Sequence, residues 1–205
     1  VFTPRVFPNT VPDDLFDTLR YAFRPNAPYW EQSGYDRNVY YSFWTDWPLP
    51  RPKGSAATTE NSYIVSNTVE HYIVAYLLPL IKTISPDHIL DAMKGFEWWV
   101  HTRPHGANLG HQLHFDTDEA LLDQDGQVEF PISASVTYLN ADDHEYGATI
   151  LFDQTPQTNQ NATTAWINLP RAKSFLIFPG NLLHGVLPCM THDNSSNSAN
   201  GTTIN

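Results

Sequence analysis

The sequence is poor in cysteine and in charged residues, and it lacks long hydrophobic runs. A single cysteine, Cys189, cannot form an internal disulfide, which excludes a disulfide-stapled secreted scaffold. The longest apolar run, residues 72–81, is far shorter than a membrane-spanning helix and contains Pro79. No basic segment followed by a hydrophobic stretch opens the chain. We therefore expect a soluble, intracellular protein with no membrane partner, although no motif specifies a compartment.

Basic residues are scarce as well. The 205 residues include 11 Lys and Arg against 22 Asp and Glu, which gives a net charge of −11. Such a surface repels phosphate backbones, so no nucleic-acid partner is expected. A glycine-rich phosphate loop and a Gly-x-Ser-x-Gly elbow are both absent from the sequence. Hydrophobic residues, in contrast, make up 41% of the chain and aromatics 13%, enough for the core of a single domain spanning residues 1–205.

The N-terminal part of the chain, residues 1–94, is interpreted as a helical and irregular support. A helix is expected to begin after Pro12, because two aspartates and then apolar residues at helical spacing follow it. Residues 24–58 are rich in proline, glycine and aromatics, which predicts irregular structure. Two further helices are predicted over residues 59–83 and 85–93.

Residues 95–205 carry strand patterns instead. Segment 131–140 alternates between two faces. One face carries Ile132, Ala134, Val136 and Tyr138, and the other carries Ser133, Ser135, Thr137 and Leu139. Short strands separated by turn signals predict a sandwich or jelly roll. The further predicted strands are 96–101, 148–152, 163–169, 174–178 and 182–187.

The most informative residues are His114 and Asp116. On a strand, residues two apart point to the same side, so an imidazole and a carboxylate would project together. His184 is the best third partner, because a polar ring inside an apolar stretch needs one. Each motif by itself is common by chance, and a lone histidine is more often a hydrogen-bonded core residue. Together, two histidines and one carboxylate form the facial triad of non-haem Fe(II) oxygenases.

The motifs also resemble a known family, in order along the chain. Segment 108–116, NLGHQLHFD, resembles the first metal motif of the 2-oxoglutarate/Fe(II) dioxygenases, in the prolyl 4-hydroxylase-like branch. Segment 136–140, VTYLN, resembles a strand of that branch, and 147–152, GATILF, stands where the family often has a GGxTxF motif. Segments 173–178, KSFLIF, and 184–188, HGVLP, resemble the distal strand and the second histidine. The resemblance covers residues 95–190 and identifies the superfamily rather than the substrate.

This resemblance implies a fold, an activity and a ligand set. The fold would be mainly β with flanking helices, a double-stranded β-helix (jelly roll, cupin-like) with N-terminal helices packed on one sheet. His114, Asp116 and His184 would bind Fe(II), with 2-oxoglutarate as cosubstrate, O2 as oxidant and ascorbate as a candidate further requirement. The reaction would be hydroxylation of an unactivated C–H in a peptidyl or small-molecule substrate, with release of succinate and CO2. An intact Asp116 favours hydroxylation over halogenation, because related halogenases replace that carboxylate with a small residue.

Two features concern the cosubstrate. By the resemblance, Tyr138 would contact a 2-oxoglutarate carboxylate, while the alternative is a core tyrosine bonded to the backbone. The family places an Arg or Lys shortly after the second histidine, but no basic residue follows Lys173 in this sequence. We therefore expect that the chain is truncated before the closing strand and its cation, or that Arg103 or Lys173 substitutes.

Other readings stay open. His111, three residues before His114, is expected on the opposite face of the strand and is not expected to be a ligand. Asp118 and Glu119 are expected either to orient a ligand imidazole or to be ordinary solvated acids. The alternative function is a non-oxidative cupin-type protein that uses Zn or Mn as a hydrolase, isomerase or ligand-binding module. A third reading is a degenerate binding module that has lost its enzymatic function. The sequence does not specify the substrate or the oligomeric state.

Overall fold

The computed structural model shows mostly antiparallel β-structure with few helices. The residues it describes are 2–35, 37, 42–48, 68–84, 91–104, 110–139, 147–158, 160–188 and 202–204. The chain divides into two compact units. One comprises Val1–Asn9 and Arg103–Thr203, and the other Thr10–Thr102 and Ile204–Asn205. The first unit holds the larger sheets. The single-domain reading, with a boundary between residues 94 and 95, stays a prediction.

The unit that contains residues 10–102 holds most of the helices. They are α1 (Asp13–Ala22), α2 (Pro28–Gln32), a helix whose described residues begin at 68 and lead into a π-helical turn (Ile73–Leu77), and α3 (Leu78–Ile84). Helix α1 is confirmed, and it begins directly after Pro12 with two aspartates in its first turn, where the helix dipole favours negative charge. The π-helical turn precedes Pro79. Proline has no N–H to donate to the carbonyl four residues back, and its ring would clash with that carbonyl, so the widened turn relieves the clash.

The expectation of irregular structure over residues 24–58 is wrong at two places. Helix α2 lies there, and so does strand β2 (Phe43–Asp46), which pairs with β3 (Gly95–Trp98). The pairing explains the strand, since Phe43 stacks on Trp98 with ring centroids 4.3 Å apart. The predicted strand 96–101 therefore begins one residue earlier and ends at Trp98. Predicted helical residues 59–67 and 85–90 lie outside the described part of the chain.

The other unit contains two sheets. Its strands are β1 (Arg5–Phe7), β5 (His111–His114), β6 (Ser133–Thr137), β7 (Thr149–Phe152), β8 (Ala165–Asn168), β9 (Phe175–Pro179) and β10 (His184–Val186). Helix α4 (Glu119–Asp125) lies between β5 and β6. Short strands β4 (Thr102–Pro104) and β11 (Thr202–Ile204) pair with each other. The strands predicted over 131–140, 148–152, 163–169, 174–178 and 182–187 are thus confirmed. β9 is shifted by one residue from the predicted 174–178, and the other four are shorter than predicted.

The first sheet has the order β1-β9-β6 and the second has the order β5-β10-β7-β8. Successive strands of the chain alternate between the sheets except for β7 and β8, which are neighbours in the second sheet. In both sheets the pairing is antiparallel. A buried apolar cluster joins them and consists of Tyr138, Leu151, Leu176, Phe178 and Leu182. Ala134 and Val136 pack against this cluster, as the alternation of segment 131–140 predicted, whereas Ile132 is 44% exposed because β6 begins after it.

Candidate metal centre

His114 and His184 come from neighbouring strands and face each other directly. His114 ends β5, His184 begins β10, and the two are partners in the antiparallel register. Paired residues in an antiparallel ladder point to the same face of the sheet, so the two imidazoles lie side by side. Their ring centroids are 4.3 Å apart.

Asp116 completes the group, but not for the reason expected from the sequence. Strand β5 ends at His114, and residues 115–118 are not in a strand, so the spacing of two on a strand is the wrong reason. The loop after β5 nevertheless turns the carboxylate back to the sheet. Asp116 Oδ1 lies 3.6 Å from His114 Nε2 and 3.5 Å from His184 Nε2. The donor atoms of the three residues all lie within 4.8 Å of one another, which makes them a candidate metal-binding group.

Backbone hydrogen bonds fix the tautomers of both histidines. His114 Nδ1 donates to the carbonyl of Gln112 and His184 Nδ1 donates to that of Leu182, each at 2.9 Å. A carbonyl oxygen can only accept, so the Nδ1 atoms carry the protons. The Nε2 lone pair of each neutral ring is therefore directed at the shared point beside Asp116. Metal-ligating histidines adopt this arrangement, in which the other ring nitrogen donates to a backbone carbonyl.

The charges of the group also suit a cation. Burial by itself raises the pKa of Asp116, but its interactions with His114 and His184 outweigh burial and hold that pKa well below the ordinary value. The same interaction with Asp116 raises the pKa of His114 against the opposing effect of burial. Asp116 is therefore ionised at neutral pH, as a metal ligand must be.

The spacing fits metal coordination with little movement. Ligand bonds of about 2.1 Å place adjacent donors about 3.0 Å apart in an octahedron and about 3.4 Å apart in a tetrahedron. The oxygen-to-nitrogen separations of 3.5 and 3.6 Å exceed the tetrahedral value by about 0.1 to 0.2 Å and the octahedral value by about 0.5 to 0.6 Å. Two imidazoles and a carboxylate on one side leave further coordination positions open.

Tyr138 lies in the same unit as this centre and is hydrogen-bonded inside the protein. Its hydroxyl lies 2.7 Å from Thr149 Oγ1 and accepts from Asn168 Nδ2 at 3.0 Å. Burial raises the pKa of Tyr138, partly offset by these two bonds, so the phenol stays neutral. The side chain thus reaches from the first sheet to the second, and the backbone partner considered from the sequence is a side-chain pair instead.

The register of the second sheet relates this network to the histidines. One row across the sheet is His114, His184, Leu151 and Trp166, and the next row is His111, Val186, Thr149 and Asn168. Partners in a row share a face, and neighbouring strands lie about 4.8 Å apart. The polar network and the candidate metal centre therefore occupy the same inward face, in adjacent rows. Thr149 belongs to the segment 147–152 noted in the sequence, whereas Asn168 carried no signal in the sequence.

The two basic residues predicted to bind the cosubstrate are Lys173 and Arg103. Lys173 lies in a left-handed turn (φ 64°), and its backbone N–H donates to the carbonyl of Tyr138 at 2.9 Å. Arg103 lies in β4, and its side chain is outside what the structure describes. The role of either as the cosubstrate cation stays a prediction.

Two neighbouring candidates are corrected. Asp118 caps helix α4, because its carboxylate accepts from the backbone N–H of Leu121 at 2.9 Å. His111 was expected on the opposite face from His114, but the two rings are 4.6 Å apart. The reason is an irregularity in β5, where the register to β10 shifts by one residue between these two histidines.

Comparisons with known proteins give distant structural similarity only. No protein-family model matches the chain, and no curated protein matches it. A prolyl-4-hydroxylase from Pseudomonas putida is 14% identical, with 100% of this chain and 84% of that chain covered and a TM-score of 0.43. HygX from Streptomyces hygroscopicus, solved with nickel and 2-oxoglutarate bound, is 11% identical, with 99% and 80% covered and a TM-score of 0.47.

A third solved structure is similar at the same level. It is an N-substituted L-amino acid dioxygenase from Burkholderia ambifaria, 13% identical, with 98% of this chain and 80% of that chain covered and a TM-score of 0.40. Within the described residues, none of the helices is long and apolar enough to span a membrane.

Proposed function

We propose that this protein is an Fe(II)- and 2-oxoglutarate-dependent dioxygenase that hydroxylates an unactivated C–H of a peptidyl or small-molecule substrate. One observation carries the proposal: two imidazole Nε2 atoms and one ionised carboxylate oxygen meet within 4.8 Å, with both tautomers set by backbone carbonyls. This donor set is the one used by non-haem Fe(II) oxygenases. Fe(II), with 2-oxoglutarate and O2, would supply the oxidising power for hydroxylation, with release of succinate and CO2.

The proposed fold is a double-stranded β-helix. Two observations support it: successive strands alternate between two antiparallel sheets except at β7 and β8, and one apolar cluster lies between the sheets. In such a fold the two sheets would act as a rigid frame for the three ligands. His114 and His184 would be held on adjacent strands, and Asp116 would close the third position from the loop.

For the cosubstrate, we propose Tyr138 with Lys173 or Arg103. A phenol hydroxyl has one donor hydrogen and two acceptor lone pairs, so Tyr138 retains capacity for one further partner beyond Thr149 and Asn168. The partners of the hydroxyl, Thr149 and Asn168, lie on the same inward face of the second sheet as His114 and His184. A cation would be needed to pair with the distal carboxylate, and both basic residues are proposals for it.

The second candidate function is non-oxidative Zn or Mn chemistry on the same three residues. The observation that favours its zinc version is the spacing of 3.5 and 3.6 Å between Asp116 and the two imidazoles, which is closer to the edge of a tetrahedron than to that of an octahedron. In that case the protein would be a cupin-type hydrolase, isomerase or ligand-binding module.

An anaerobic titration separates the two functions. Fe(II) and 2-oxoglutarate, added together to the metal-free protein, are expected to give a weak visible charge-transfer band that neither gives alone. Asp116→Asn should remove the band, and Asp153→Asn is the matched control, since Asp153 is an exposed carboxylate held by Thr163. Tight Zn binding without any band would favour the second function, and no metal binding at all would rule out both.

A further inference from the structure

We infer that His111 is a positioning residue for the proposed metal ligand His114, and that a β-bulge opposite Gly185 brings it there. This inference rests on the proposed function, because it assigns His111 a role at the same metal centre. His111 is not one of the three residues whose donor atoms lie together. Its action would be through the His114 ring and not through a bond to the metal.

The bulge follows from the strand register. His184 pairs with His114 and Val186 pairs with His111, so two residue steps on β10 oppose three on β5. His184 and Val186 share a face because they are two apart, and their partners share that face with them. The extra residue therefore reverses the parity of β5, and His111 joins His114 on the inward face.

Gly185 makes the bulge possible. A Cβ at this position would lie 2.7 Å from the carbonyl oxygen of His111 and 3.1 Å from that of Gln112. Backbone atoms cannot yield as the end of a flexible side chain can, so only glycine allows this close approach. The Gln112 carbonyl at this bulge is also the acceptor for His114 Nδ1. One backbone feature thus sets both the tautomer of His114 and the place of His111.

The rings of His111 and His184 both contact the ring of His114. His111 lies at 4.6 Å with an interplanar angle of 32°, and His184 lies at 4.3 Å with an angle of 52°. The hydrogen bond to Gln112 fixes one nitrogen of the His114 ring but leaves the ring free to tilt about that bond. Contact with the His111 ring restricts this tilt, which keeps Nε2 aimed at the point it shares with Asp116 and His184.

The test measures Co(II) binding by the metal-free chain of 205 residues, read from its visible absorption band. His111→Ala and His111→Gln both remove the ring, while His111→Phe keeps a flat ring without nitrogens. We expect Co(II) affinity to fall about 10- to 100-fold in the first two, the usual effect of losing a residue that orients a ligand. His111→Phe should restore most of the affinity and the wild-type band shape. Leu113→Ala, on the exposed face of the same strand, should change neither.

The outcomes are distinct. Unchanged Co(II) affinity and band shape in both ring-removing variants would overturn the inference. Loss of binding in His111→Phe equal to that in His111→Ala would also overturn it, because the nitrogens and not the ring would then matter. Absence of Co(II) binding by the wild-type protein would refute the proposed function itself, and the positioning role with it. Urea unfolding of each variant distinguishes a local effect from loss of the fold.

Discussion

The two sheets of the unit that contains residues 103–203 bury different kinds of side chain. Every residue of β9 in the first sheet is buried and apolar, with Phe175 and Ile177 at 0% exposure. In the second sheet, β10 begins with a buried histidine, and its neighbour β7 begins with the buried Thr149. Apolar burial stabilises a fold without fixing particular directions, whereas a buried polar group must meet a partner at a set angle. The first sheet thus supplies cohesion, and the second orients side chains.

Phe178 connects the two roles. It belongs to the apolar strand β9 and to the cluster between the sheets, and its ring centroid lies 4.9 Å from that of His184. The candidate metal centre therefore rests against the apolar core on one side. This contact explains how a buried imidazole is held without loosening the packing around it.

The largest effect is expected from removing a metal ligand. Asp116→Ala or His114→Ala should abolish metal-dependent turnover of 2-oxoglutarate, because the remaining pair of ligands cannot hold the ion. The fold should persist, since the first sheet is untouched. Succinate release and circular dichroism check the two parts, and full activity in either variant would remove the site assignment.

A core substitution in the first sheet should act on stability instead. Leu176→Ala deletes a side chain that is 1% exposed, and such changes cost about 2–5 kcal/mol of the free energy of unfolding. Ile167→Ala on the edge strand β8 is the control: that side chain is 63% exposed, and the cost should stay below about 0.5 kcal/mol. Urea denaturation measures the free energy of unfolding of both variants. Equal losses would contradict the assignment of Leu176 to the buried core that gives the first sheet its role.

The stability of the metal-free protein should depend on pH through His114 and Asp116. The raised pKa of His114 means that its protonated form stabilises the fold below the unfolded value of about 6.5. This contribution is lost as pH rises through the folded-state pKa. The lowered pKa of Asp116 has the opposite sign: its contribution is present above the ordinary carboxyl pKa and is lost as pH falls through the folded-state value.

Asp116→Asn isolates this effect. With a chelator present, the wild-type protein should lose more stability than the variant as the pH rises from about 5.5 to about 8. This range brackets the ordinary pKa of a histidine. Denaturation curves at the two pH values give the difference, and the C2 proton of His114 in NMR gives its titration directly. A pKa for His114 that does not fall in Asp116→Asn would contradict the proposed pairing.

The smallest effect is expected at the polar network between the sheets. Tyr138→Phe removes the hydroxyl that meets Thr149 and Asn168, and one hydrogen bond is worth about 1 kcal/mol. Unfolding should register this loss, and 2-oxoglutarate affinity should fall by a similar amount if the hydroxyl also contacts the cosubstrate. Loss of stability with unchanged affinity would leave Tyr138 a core residue only.

Local patterns predicted β6 to β10 but not β1, which lies in the segment interpreted as helical and irregular and which pairs with β9. Period-two alternation located β6, and β-branched or aromatic runs located β7 to β10, because these features reflect local fit to a pleated sheet. Strand β2 was missed since its stability depends on Phe43 stacking on Trp98, a contact between residues far apart in the chain. Asn168 was missed for a similar reason: its partner Tyr138 is 30 residues away.

The sequence by itself determined which residue types are available, and the order of His114, Asp116 and His184 within a strand-rich segment. Only the tertiary structure decided their geometry. The loop after β5 turns Asp116 back, and the bulge opposite Gly185 places His111 on the inward face, against the parity of a regular strand. The physical reason is that side-chain direction follows local backbone geometry, which a neighbouring strand can alter at a single residue.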